Sequence, residues 1–130
     1  MIYPKIPISH LLSFVEEDAP FGDITSDLVI NPCVCTAVIT TRASLVLAGL
    51  EETIVLAKHY DLRIIEASRD GTEHGEGEPV LTMEGEAHSI LLLERTILNI
   101  LGRMSGIATL THMLQNQVSR VNPDVRICAT

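Results

Sequence analysis

Between Ala87 and Arg103 the sequence carries apolar side chains on almost every side of a helix: Ile90, Leu91, Leu93, Ile97, Leu98, Ile100 and Leu101 cover nearly every direction at roughly 100° per residue. A helix apolar around most of its circumference is one enclosed by other elements. One narrow stripe departs from this, because His88, Arg95, Asn99 and Gly102 fall within a fraction of a turn of one another. The expectation is a largely buried helix that shows one polar seam.

The elements that would enclose it alternate along the chain without a repeat. Pro4 and Pro7 give an extended lead-in, and Ser9 is placed to cap a helix from His10 to about Glu17 with Leu11, Phe14 and Val15 on one face. Pro20 and Gly22 stop it, and Asp23 to Asp27 reads as a turn or one-turn helix whose acids and hydroxyls bond to nearby amides. Strands are expected over Cys33–Thr41, Ser44–Leu47, about Leu62–Ala67 and Pro79–Glu84. Gly49 makes a tight turn into a helix from Leu50 to Tyr60 with Ile54, Ala57 and Leu50 inward, and the glycine-rich stretch Asp70–Gly77 reads as a loop. Beyond the apolar helix, Ser105-Gly106 is expected to break or bend it, a further helix to run from Ile107 to Val118, and Val125–Ala129 to begin a strand after Asn122-Pro123. These segments predict an α+β fold with a mainly antiparallel sheet and an unfinished second domain.

Charge and composition bound the chemistry. Seventeen acidic against nine basic residues, a net charge of -8, disfavour attraction to nucleic acid or anionic membrane, and 3% aromatic residues leave little surface for stacking bases. After Glu94 the balance reverses: Arg95, Arg103, Arg120 and Arg126 face the single acid Asp124, so an anionic small molecule is best sought there. Cys33, Cys35 and Cys128 form no disulfide framework, and the N-terminus lacks the pattern of a secretion signal. The apolar run Ile90–Leu93 is too short to span a bilayer. The expected compartment is the cytoplasm.

Arg95 is the sharpest candidate. A guanidinium in an apolar helix needs a compensating anion or hydrogen-bond partners, and its planar fork matches a carboxylate or phosphate bidentately. The alternatives are an ion pair within the fold, Glu94 being one candidate, or extension of the side chain to solvent. Asn99, one turn on, can orient a ligand or the arginine, or serve an ordinary backbone contact. His88 and His112 stand beside no ligand set of metal spacing, and Cys33-x-Cys35 lacks a second Cys/His pair, so these cysteines read as buried small hydrophobes. Asp23 and Asp27 bracket a turn that can hold a cation, although amide capping is the simpler account. Gly75-x-Gly77 has no following Lys-Ser/Thr, which leaves a hairpin rather than a phosphate loop. No Ser/His/Asp arrangement for covalent catalysis emerges.

Four ordered blocks carry a resemblance. They are Glu17-Asp-Ala-Pro-Phe-Gly22-Asp23-Ile-Thr25, Leu47-Ala-Gly49-Leu-Glu51-Glu52, Asp70-Gly71 with Gly77, and Glu94-Arg95-Thr96-x-x-Asn99-x-Leu101-x-x-x-Ser105-Gly106-Ile107-Ala108-Thr109. Together they resemble the quinolinate phosphoribosyltransferase family (nicotinate-nucleotide pyrophosphorylases, carboxylating). The resemblance implies an open-faced sandwich, a four-stranded sheet with helices, over residues 1–110, and the start of an α/β barrel, its first strand included, over 111–130. It implies homodimers in which this domain closes the barrel mouth of the other subunit. The reaction implied, a step of NAD biosynthesis, joins quinolinate to phosphoribosyl pyrophosphate with Mg²⁺ and leaves nicotinate mononucleotide, pyrophosphate and carbon dioxide.

By the same resemblance Arg95 holds a quinolinate carboxylate in the partner's site, Thr130 corresponds to a substrate-side position, and Asn99 and Ser105 are supporting positions. The family's further cationic donors lie on the barrel beyond the positions matching Ala129-Thr130, so this segment alone is expected to be inactive, with no metal of its own. His74 departs from the family's hairpin, which usually has an apolar residue there. A paralogous group named for molybdate transport, the ModD-like pyrophosphorylases, shares three of the blocks and would use a different acceptor, but Glu94-Arg95-Thr96 favours the quinolinate enzyme. A non-enzymatic alternative is a dimerisation and substrate-gating module.

Overall fold

The computed structural model describes residues 6–128, so Pro4, Ala129 and Thr130 of the expectations above lie outside the described residues. In chain order the elements are α1 (Ile8–Asp18), α2 (Ile24–Val29), β1 (Val34–Thr40), β2 (Leu45–Val46), α3 (Leu50–His59), β3 (Arg63–Ala67), β4 (Glu73–His74), β5 (Pro79–Glu86) and α4 (Ala87–Val121).

The buried positions of α4, namely Ala87, Ile90, Leu93, Thr96, Ile97, Leu101 and Ser105, recur at three- and four-residue steps and form one stripe. That stripe joins Leu11 and Val15 of α1, Leu50, Leu56 and Ala57 of α3, and Val80, Leu81 and Met83 of β5 in a single core. Leu93 and Ile97 are wholly enclosed, and each such side chain contributes roughly 1.5–3 kcal/mol on leaving water. The enclosure is one-sided. Leu98 is 47% and Ile107 64% exposed, which corrects the expectation of a largely buried helix: the elements packed on α4 cover this stripe only.

The helix is also unbroken at Ser105-Gly106 and runs across position 110 without a joint. Ser105 Oγ accepts a hydrogen bond from the Ala48 amide at 3.0 Å and donates to the Ala48 carbonyl at 3.2 Å. One turn on, Thr109 Oγ1 accepts from the Val46 amide at 2.9 Å and donates to the Ser105 carbonyl. Two hydroxyls on α4 thus serve the backbone at β2 as a neighbouring strand would. A mid-helix glycine costs about 1 kcal/mol, less than three docking hydrogen bonds of about 1 kcal/mol each return.

Antiparallel pairing and the α+β class agree with expectation, with the strands divided into three and two. β5 lies between β1 and β3, and β2 pairs with β4. β4 falls inside the stretch expected to be a loop, since two polar residues give no alternation to read. Gly85 on β5 allows close packing: a Cβ there would stand 2.5 Å from Leu62 Cδ2. The strand expected to begin at Val125 is absent among the described residues. Its backbone is taken up instead by the Gln115 side chain on α4, which accepts from the Ile127 amide and donates to the Val125 carbonyl, both at 2.9 Å.

Two helices differ in detail from expectation. α1 begins after Pro7 rather than at a Ser9 cap, and Phe14 is exposed while Leu11 and Val15 turn inward. α3 buries Thr53 and Leu56 beside Leu50 and Ala57, leaving Ile54 half-buried. Its first turn is capped from a distance: Asp70 Oδ1 accepts from the Leu50 amide at 2.9 Å and Oδ2 from the Glu51 amide at 3.2 Å. Gly49, at φ 90°, makes the entry, and a Cβ there would come within 2.9 Å of Met104 Sδ.

Asp70→Ala is expected to lower unfolding stability by roughly 1–2 kcal/mol, with Asp70→Asn recovering much of it. Ser105→Ala leaves the Ala48 amide short of a partner and is expected to cost roughly 1–3 kcal/mol. Denaturant titration of the chain checks both, and unaltered midpoints would contradict these bonds.

Candidate functional site

The last turn of α1 meets the first half of α4 beside a cleft of about 410 Å³. Leu11 and Phe14 of α1 and Ile100 and Met104 of α4 supply its apolar wall, while Glu17, Asp18, Thr96, Asn99 and Arg103 supply its polar one. Arg95, Asn99 and Arg103 are spaced four residues apart, so they stand one above another along α4, all three exposed.

Arg95 itself is not enclosed. Its side chain is 77% exposed, which corrects the picture of a guanidinium held in an apolar interior: α1 ends at Asp18 and leaves that side of α4 open. The Nε atom lies 3.7 Å from Asp18 Oδ1, beyond hydrogen-bond range, and the guanidinium makes no hydrogen bond among the described residues. Asp18 is held on its other oxygen, where Oδ2 accepts from Thr96 Oγ1 at 2.8 Å, and Thr96 is buried. The alternative of an ion pair within the fold is therefore partly realised, with Asp18 rather than Glu94.

Of the other expected positions, one stays at this site and the rest separate from it or lie outside the described residues. Asn99 lines the cleft, whereas the Ser105 hydroxyl is committed to Ala48. Thr130 lies outside the described residues. His88 leaves the seam and turns to Glu86, with Nδ1 3.3 Å from Oε1, and towards Asp27 at 3.9 Å. His112 stands 3.1 Å from Glu73 on β4. Cys33, just before β1, and Cys35, in its exposed first half, are exposed, not buried as expected. Sequence reasoning missed the partnership of Asp18 and Thr96. Its signal was a hydroxyl on an apolar helix face, which has to find an acceptor.

Asp23 behaves as an amide cap. Its carboxylate accepts from both the hydroxyl and the backbone amide of Ser26 at the start of α2. The hydroxyl first, then the amide, hold its pKa below the ordinary carboxylate value, with burial opposing and His88 assisting. A lowered folded-state pKa gives stability that is complete above the unfolded value of about 3.9 and is lost as pH falls through the lower folded value.

Residues 23–105 match the model of the quinolinate phosphoribosyl transferase N-terminal domain. The chain belongs to this family. Among curated relatives, it is 40% identical over 117 residues to a probable carboxylating nicotinate-nucleotide pyrophosphorylase of Methanothermobacter thermautotrophicus, covering 89% of this chain and 42% of that protein. A protein of the same name from Archaeoglobus fulgidus is 38% identical over 111 residues, covering 85% and 42%. The solved nicotinate-nucleotide pyrophosphorylase of Francisella tularensis superposes with a TM-score of 0.81 at 29% identity, over 89% of this chain and 43% of that one. The chain thus spans about two fifths of the length of these quinolinate phosphoribosyltransferase relatives.

Comparing Asp23→Asn with the unaltered chain between about pH 6 and pH 2.5 should show a stability difference that shrinks as Asp23 protonates. A difference independent of pH would remove the charge from the account.

Proposed function

We propose that this chain is the N-terminal part of a phosphoribosyltransferase that converts quinolinate and phosphoribosyl pyrophosphate to nicotinate mononucleotide, pyrophosphate and carbon dioxide, and that Arg95 meets a carboxylate of quinolinate. The observation that carries the reading is an exposed arginine next in sequence to Thr96 of the cleft wall, with no hydrogen bond drawn from its guanidinium among the described residues, in a domain of this family. The names of the relatives support the reaction.

The acceptor is a dianion and phosphoribosyl pyrophosphate a polyanion, so the reaction needs cations fixed in advance and water kept from the ribosyl centre. An extended guanidinium contributes to the first requirement: one carboxylate receives two parallel N–H bonds and fixes the pyridine ring in its plane. Asn99 on the next turn is the neighbouring donor. Thr130 remains part of the reading as a substrate-side position. Mg²⁺ would neutralise the pyrophosphate. Among the described residues no group of three or more His, Cys, Asp or Glu is placed to hold a metal ion, and no step on this segment is assigned to one.

The reading includes a homodimer in which Arg95 serves the other subunit's barrel, the start of this subunit's own barrel over residues 111–130, and a cytoplasmic location. Exposed apolar side chains on the outer part of α4, Ile107, Leu110 and Met113, support a covering neighbour. No helix among the described residues is long and apolar enough to cross a membrane.

Assay of the full-length gene product with quinolinate and phosphoribosyl pyrophosphate is expected to yield nicotinate mononucleotide. Arg95→Ala should raise the KM for quinolinate about tenfold or more, the scale of a lost charge-assisted hydrogen bond, with little change for phosphoribosyl pyrophosphate. No turnover by the intact protein would defeat the assignment, and equal losses for both substrates would defeat the role of Arg95. Turnover with another pyridine or purine acid in place of quinolinate would favour a ModD-like acceptor.

A further inference from the structure

We infer that Asp18 is a positioning residue for Arg95, a carboxylate fixed by Thr96 that attracts the Nε side of the guanidinium and leaves its two terminal nitrogens for the substrate acid. This rests on the preceding reading of Arg95 and adds to it the device that aims the side chain.

The first reason is where the acid sits. Asp18 is the last residue of α1, at the helix end whose free carbonyls carry partial negative charge. An acid there is disfavoured by the helix dipole, and Glu17 beside it adds like charge. Local helix stability therefore gives no account of Asp18. The Thr96 hydroxyl accounts for one of its oxygens and the nearby cation for the other.

The second reason is the division of its two oxygens. Oδ2 receives the Thr96 hydroxyl at 2.8 Å, and Thr96, 1% exposed, is locked in the core stripe of α4. The carboxylate is thus tied to the same helix that carries Arg95, one residue away, and its remaining oxygen is directed to Arg95 Nε at 3.7 Å. Asp18 is only 24% exposed where Arg95 is 77%: the anchor is sheltered and the cation extends outward.

The third reason is the shape of the guanidinium. Its donors form two usable edges, one through Nε with a terminal nitrogen and one through both terminal nitrogens. A carboxylate on the Nε side draws the first edge towards itself by charge and leaves the second facing outward for end-on, bidentate contact with an organic acid. At 3.7 Å in solvent the pair has the strength of an exposed ion pair, which biases the rotamers of Arg95 by a few-fold rather than locking one. Without it a long exposed side chain spreads over many rotamers, and binding has to gather them.

Asp18→Asn retains the shape and the Thr96 bond but removes the charge; Thr96→Val retains the volume but releases the carboxylate. In the full-length gene product each is expected to raise the quinolinate KM about threefold to tenfold, while the KM for phosphoribosyl pyrophosphate and kcat at saturation stay within about twofold. In the Arg95→Ala background Asp18→Asn should add nothing further, since its effect runs through the arginine. A variant that loses thermal stability is judged on the other one and on the double variant. The inference is overturned if Asp18→Asn and Thr96→Val leave the quinolinate KM unchanged, or if Asp18→Asn multiplies it by the same factor with and without Arg95. That second result, with Arg95→Ala itself still selective for quinolinate, sinks the positioning role alone. An Arg95→Ala variant without selectivity sinks the earlier reading and this one together.

Discussion

The arrangement of this domain depends on three hydroxyls that α4 carries into its buried face. Thr96, Ser105 and Thr109 lie on or beside a stripe otherwise built from Ile and Leu, and a buried hydroxyl without a partner is expensive. Thr96 finds Asp18 at the end of α1, Ser105 finds Ala48, and Thr109 finds Val46. Apolar packing alone tolerates sliding and rotation of a helix by small amounts. Hydrogen bonds of fixed length to two separate elements do not, and they set both the register of α4 and the height at which Arg95 emerges.

The same logic ties four separated sequence blocks to one another. Asp18 of the first bonds to Thr96 of the fourth, Ala48 of the second to Ser105 of the fourth, and Asp70 of the third closes the first turn of α3 in the second. Much of what these blocks do in this chain is internal wiring. Ser105 shows how such wiring is confused with ligand contact: it sits in the motif next to the candidate site, yet its hydroxyl is spent on backbone.

The class of fold, the order of elements and four of the strands were legible because β-branched runs and turn residues act locally. What was not legible required a partner distant in sequence. Ser105-Gly106 reads as a break until Ala48 is known to lie against it. Glu73-His74 reads as loop until Val46 and Leu45 pair with it. Val125 and Ile127 read as a strand, but Gln115 intercepts their backbone groups. Periodicity found the stripe bearing Arg95 and Asn99, and overstated burial, because an apolar side chain shows that it prefers cover without showing whether cover is supplied.

α4 is 35 residues long, about 52 Å, and it meets the β2–β4 ribbon from Ser105 to His112 before running on to Val121. One continuous hydrogen-bonded rod therefore runs from the anchored seam to the outer turns. Bending it at Gly106 would tear the Ser105 attachment, so the rod acts as a ruler: whatever seats on its far end inherits a fixed distance and bearing from the Arg95 guanidinium, and tolerance in that alignment has to come from side chains rather than from the backbone.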